Sequence, residues 1–179
     1  MDYLKILHEN PDLAEEFDSL FDFFLLDELS PRDDAEGRCT FSMPGMAFAR
    51  DGSGGEYHLL EDGSIGYYSS EGEAGRLAES MDDLFSLIVS CICWHDCCDA
   101  KHYVDSKTLE EYGQRQRNTN LEDMDSLRRV SDALGIPTGE PLAPVLERFR
   151  KATQRQPLYQ CMFHEDDGSL TESYGLMFE

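Results

Sequence analysis

Met46 to Ile88 reads MAFARDGSGGEYHLLEDGSIGYYSSEGEAGRLAESMDDLFSLI, and within it the spacing of apolar residues changes period. Glu56 to Glu61 and Ser64 to Ser69 alternate as strands do, and Asp62-Gly63 between them makes a tight hairpin, because that turn needs backbone angles Gly and Asp tolerate. From Glu71 onward the period lengthens. Leu77, Met81, Leu84, Phe85, Ile88, Cys91, Ile92 and His95 recur at three-and-four spacing, which predicts one long helix packed across the sheet.

Working outward, Cys39 to Met43 and Gly45 to Arg50 alternate as further strands, interrupted at Pro44. Asp51-Gly52-Ser53-Gly54-Gly55 reads as the loop joining the second of these to Glu56 to Glu61, and its glycines suit positive backbone angles. Before them, Asp12 to Leu29 places Leu13, Phe17, Leu20, Phe21, Phe24 and Leu25 at helical spacing. Pro11 is set to open that helix and Pro31 to follow its end. Ser30 to Arg38 is polar and acidic and reads as a loop. Residues 104–134 and 141–155 carry further helical patterns, the second opened by Pro141 and Pro144. Leu158 to His164 and Leu170 to Phe178, on either side of Asp166-Asp167-Gly168, read as a final hairpin. The expected fold class is α+β: an antiparallel, or mixed, sheet of about five to six strands with helices packed against it, all within one domain spanning 1–179.

Composition bounds what such a domain does. Hydrophobic residues at 40% supply a core despite a net charge of −22, so wholesale disorder is excluded. Leu84 to Trp94 is the longest largely apolar run and is too short to span a bilayer. The N-terminal MDYLKILHENPDLAEEF lacks the pattern of a secretory signal, and cytoplasmic residence is the expectation. Charge is unevenly spread. Residues 1–36 hold 12 acids and 2 bases, whereas 101–155 hold 9 acids and 10 bases, so the acidity belongs to the rest of the chain. A field of this sign repels nucleic acid and anionic lipid and favours a basic protein partner.

No catalytic constellation emerges. Cys91, Cys93, Cys97 and Cys98, with His95 and His102, offer zinc-like ligands, but on one continuous helix they do not converge, and core packing of free thiols is the simpler reading. Cys39 and Cys161 complete the six, and no disulfide framework is expected. Ser53 in its glycine loop does not match a nucleophile elbow, and the loop is too acidic to cradle phosphate. His8, His58 and His164 are scattered, so no triad is specified and neither a metal nor a cofactor is expected. Glu61, Asp62, Glu71 and Glu73 flank the hairpin and the predicted helix start, where with Asp51 they present negative charge to a partner. Tyr67 and Tyr68 supply aromatic contacts there, with Phe48 and Tyr57 nearby.

The central stretch resembles the SUKH superfamily, α+β domains that include the yeast cell-wall assembly regulator and many bacterial immunity proteins. The resemblance lies in Phe48-Ala-Arg-Asp-Gly-Ser-Gly-Gly55, the Tyr57-His-Leu-Leu strand, the Asp62-Gly63 hairpin, and Ser70 to Ser80 leading into Met81 to Ile88. It implies a family-like core over about 39–98, with the helices and hairpin of 104–179 as additions. The family's Pro-x-Asp-Tyr-like segment and Asn-Gly turn have no counterpart after the first helix. Members of this kind commonly neutralise toxins of neighbouring bacteria by binding the toxin domain directly, and many such toxins are basic nucleases. The resemblance therefore implies a non-enzymatic immunity protein. A regulator or scaffold of a host pathway, or a thiol- or metal-dependent protein built on 91–98, is the alternative.

Overall fold

The computed structural model describes residues 1–31, 38–139, 141–167 and 169–170. The described residues are α+β: a five-stranded antiparallel sheet with six α-helices packed about it. The sheet runs in the order β1 (Phe24–Pro31), β3 (Gly45–Arg50), β4 (Glu56–Leu60), β5 (Ile65–Tyr68), β6 (Ala74–Ala78). Two strands lie outside it. β2 (Cys39–Phe41) pairs with β7 (Cys161–Phe163) as a separate antiparallel ribbon.

The three central strands fall where the alternation puts them, and their register assigns each face. Tyr57 pairs with Tyr67 and His58 with Gly66, so Tyr57, Tyr67 and Ile65 share one face while His58, Gly66 and Tyr68 share the other. The first face meets the helices. Phe23 packs on Tyr57 at 4.8 Å between ring centroids, and Phe17 on Phe85 at 5.4 Å, in one continuous aromatic core. The second face meets the ribbon and its lead-in through Met43, Leu60, Ala74, Tyr159 and Cys161. Gly66 is glycine because the Tyr159 ring lies flat on it: a Cβ there would come within 2.7 Å of Cε1.

Capping explains the helix limits. α1 (Tyr3–Glu9) is capped by Asp2, whose carboxylate accepts from the Lys5 N–H, and α2 (Pro11–Phe21) opens on a proline whose missing N–H costs nothing at that position. Ser80, Asp105 and Asp123 cap α3 (Met81–Cys91), α4 (Ser106–Asn120) and α5 (Met124–Leu134), and Gly135 closes α5 in the left-handed conformation. α6 (Leu142–Gln154) lies along β6, covering that edge of the sheet.

Several expectations need correction. The helix expected over Asp12 to Leu29 ends at Phe21. Asp22 takes left-handed angles (φ 52°), and Phe24 and Leu25 begin the edge strand β1, with Pro31 ending that strand rather than following a helix. Its apolar run suits either period, and the turn at Asp22 decides between them. The long helix expected from Glu71 is a strand followed by a helix: Leu77 lies on β6, and α3 starts only at Met81. Every residue of β6 is buried, so no alternation marks it as a strand. At its other end α3 stops at Cys91, because Ile92 turns with φ 67°, and Cys93 to Cys98 follow a short 3₁₀ turn instead of a helical face. Of the expected loop at Ser30 to Arg38, Ser30 and Pro31 belong to β1, and residues 32–37 lie outside the described residues. The expected final hairpin is represented by β7 and a single bridge from His164 to Leu170. Residues 171–179 also lie outside the described residues.

Candidate protein-binding surface

The acidic residues picked out in the sequence divide by their partners. Asp51 turns inward, its side chain 1% exposed. One carboxylate oxygen accepts from the Gly55 N–H (2.8 Å), the Ser53 N–H (3.0 Å) and the Ser53 hydroxyl (2.8 Å), while the other accepts from the Tyr67 hydroxyl. The glycine loop is thus tied around one carboxylate, with Ser53 a donor to it and His95 at 3.9 Å. Burial pushes the Asp51 carboxyl up, but these donors and His95 outweigh it and hold the group below the usual carboxylate range. Burial, together with the same hydroxyl–carboxylate contact, pushes Tyr67 far up. Both residues hold the loop against the sheet.

Asp62 is also engaged. It accepts from the Ser64 N–H and hydroxyl, and its second oxygen meets Arg155 at 2.8 Å and Arg76 at 3.4 Å. Arg76 is a fully buried cation on β6. It donates to Ser64 Oγ and to the carbonyls of Arg155 and Pro157, stitching the chain after α6 to the hairpin. Tyr68 is half-buried beneath the ribbon, its hydroxyl 3.5 Å from Cys39 Sγ. Glu61, Glu71 and Glu73 are exposed. They do not form one patch: Glu61 and Asp62 sit at the β4–β5 turn, Glu71 and Glu73 at the β5–β6 turn, on opposite ends of β5.

The groups that could suggest catalysis are built into the interior. His58 lies between Glu56 (Nε2 to Oε2, 3.1 Å) and Tyr159 (Nδ1 to hydroxyl, 2.6 Å), and Arg50 grips the other Glu56 oxygen at 2.7 Å. The order hydroxyl, imidazole, carboxylate imitates a triad. All three members are at most 2% exposed, so the chain of bonds fastens the ribbon to the sheet and offers no reacting atom to a substrate. None of the six cysteines is in a disulfide. The Cys97 thiol beside it, and burial, raise the Cys91 thiol. Burial raises Cys93 and pushes Cys98 up to about 12, which disfavours the thiolate that metal binding and nucleophilic chemistry require. Among the described residues no group of three or more His, Cys, Asp and Glu is placed to hold a metal ion.

A further set of carboxylates faces a groove the sequence reading did not locate. α2 forms one wall, and the end of α4 with the link to α5 forms the other. It has a volume of about 700 Å³ and is lined by Asp12, Glu15, Glu16, Glu122 and Asp123, with Leu20, Ile92 and Leu121 among its apolar groups and no basic side chain. Arg129 reaches in from beside it to bind Glu16. Asp123 is held below the usual carboxylate range by the Ser126 hydroxyl and N–H and so stays charged. The carbonyl end of α4 adds to the negative potential.

No family model, curated protein or solved structure matches the chain. Function therefore has to be read from the surface itself. The 12 acids in residues 1–36 were the one sequence signal for the groove, and only the packing of α2 beside the α4–α5 link, about a hundred residues later, turns that signal into a place. No helix among the described residues is long and apolar enough to cross a membrane.

Proposed function

We propose that the protein is a non-enzymatic binding module of the immunity type, which neutralises a basic, nuclease-type toxin domain by covering it. The observation that carries this reading is the groove between α2 and the α4–α5 link, where Asp12, Glu15 and Glu122 stand open beside Glu16, which Arg129 binds, and Asp123, which caps α5, with no basic residue in the lining. An isolated groove of this kind is electrostatically costly, because like charges crowd one another. A basic partner turns that cost into attraction, accelerating encounter at low salt and fixing orientation. Leu20, Ile92 and Leu121 give the same groove an apolar component for close packing once the partner has arrived. The net charge of −22 acts in the same direction at longer range. The resemblance of residues 48–88 to SUKH domains, whose bacterial members bind toxins, supports the same role in a cytoplasmic protein.

The test is rescue. A basic, nuclease-type domain from a neighbouring reading frame is expressed in cells, which are expected to survive when the chain is co-expressed, and the two proteins to co-purify. The variant Glu15→Lys/Glu122→Lys, folded as judged by its thermal melt, fails to rescue. Survival that does not depend on the chain, or rescue that is indifferent to reversal of the groove's charge, would sink the proposal.

A further inference from the structure

Beside the acidic groove lies a second surface with a different character. Six of the phenylalanines among the described residues are buried and two are half-buried, but Phe24, at the start of β1, is 60% exposed. It lines a cleft of about 180 Å³ with Ala14, Glu15 and Asp18 of α2, and with Phe23 and Leu25. β1 is an edge strand: among the described residues it pairs only with β3, whereas the opposite edge, β6, lies under α6. Leu29, 50% exposed, lies further along β1, between Leu25 and Ser30 where the pairing to β3 is irregular.

We propose that the cleft between α2 and the edge of β1 is where a basic segment of the partner protein docks, seating one apolar side chain against Phe24. This rests on the reading that the protein binds a basic partner, and it assigns the anchoring contact. Charge selects the occupant. Glu15 and Asp18 line the cleft and no Lys or Arg does, Arg50 opposite Phe24 on β3 is held by Glu56, and Asp27 and Glu28 are exposed further along β1 where its pairing to β3 is interrupted. A second copy of this chain would bring the same carboxylates face to face, and a neutral strand would leave them without counter-charge, which is how natural edges reject unwanted pairing. A segment with Lys or Arg on either side of a Leu, Ile or aromatic residue satisfies both the carboxylates and the ring. The Asp18 carboxyl is held above its ordinary value by burial and, after it, by Asp22. Glu15 lines both the groove and the cleft, so a partner drawn into the groove reaches Phe24 without leaving the surface. The groove then steers and the cleft anchors, the division found where exposed aromatic side chains act as binding hot spots.

The experiment is to pan random dodecapeptides displayed on phage against the full-length chain and to measure synthetic copies of the enriched sequences on three proteins: wild type, Phe24→Ser and Asp27→Lys/Glu28→Lys. Phe24 and the two acids are exposed, so both variants fold, which circular dichroism verifies. Enriched sequences are expected to combine Lys or Arg with Leu, Ile or an aromatic residue. They should bind both variants about tenfold more weakly than wild type, or worse. Failure to enrich any sequence, enrichment of neutral or acidic ones, or equal affinity for Phe24→Ser would each overturn the proposal. So would self-association through this edge, seen by sedimentation and removed by Phe24→Ser. None of these outcomes touches the toxin-binding reading, which stands or falls on rescue.

Discussion

The carboxylates at the ends of the sheet and those of the α2 groove differ in what surrounds them more than in number. Asp51 and Asp62 are met by hydroxyls, backbone N–H groups and arginines until each has become part of the frame. In the groove, Asp12, Glu15 and Glu122 line a cavity with no basic residue in its lining, and the Arg129 that reaches in from beside it is taken up by Glu16. An acid surrounded by donors inside its own fold is structural. An acid facing like charges across an open groove is met by solvent, and its charge stays available.

Substitutions that separate stability from recognition would break or sharpen this contrast. The largest effect is expected at Arg76. Its truncation in Arg76→Ala removes a fully buried guanidinium, leaves two backbone carbonyls and Ser64 without their donor, and weakens the tie to Asp62. A loss of about 4 kcal/mol in urea unfolding is expected, in the range for breaking one partner of a buried charged network.

Asp51→Asn comes next, at about 2 kcal/mol, because the amide cannot accept from the same set of donors. It also carries a pH signature. The Asp51 carboxyl sits below its ordinary value in the folded chain, so its contribution is fully present above the ordinary carboxylate range and is lost as pH falls through the depressed folded value. Wild type is therefore expected to lose more stability than Asp51→Asn as pH falls below about 4. Parallel loss in the two proteins would show that this carboxylate is not held as described.

These two sites also show how far the sequence could be read. Gly45 to Arg50, the Glu56 strand and the Asp62-Gly63 hairpin were legible because alternation and turn chemistry are local signals. β6 was not, since burial on both faces erases alternation, and Arg76 in its centre looks like a surface residue until Ser64 and two carbonyls are seen to enclose it. Phe24 and Leu25 continue a helical period that only the left-handed turn at Asp22 interrupts. Of the residues chosen as partner contacts, Glu61, Glu71 and Glu73 are exposed. Asp51, Tyr67, Asp62 and Tyr68 are engaged within the fold, because sequence gives the charge of a side chain and not the donors that tertiary structure brings to it. The groove escaped notice because its walls are distant in the chain.

Smaller effects on stability are expected where the carboxylates are available. Glu15→Lys/Glu122→Lys should change unfolding free energy by less than about 0.5 kcal/mol, the usual range for exposed positions, or raise it slightly by relieving repulsion. Its effect belongs to binding. The smallest change of all is expected for Glu71→Gln/Glu73→Gln, which alters an exposed turn at the end of the sheet. Stability should stay within about 0.5 kcal/mol, and the rescue assay should read as wild type. Loss of rescue in that variant would move the contact surface from the groove to the β5–β6 turn.

The most direct measurement is the association rate of the toxin domain with wild type and with Glu15→Lys/Glu122→Lys, taken as a function of salt. If the groove recognises a basic partner, the wild-type rate falls as salt rises, and the reversed groove associates at least about tenfold more slowly at low salt with a flatter salt dependence. Identical rates and identical salt dependence for the two proteins would contradict the claim that the α2 groove is the recognition surface.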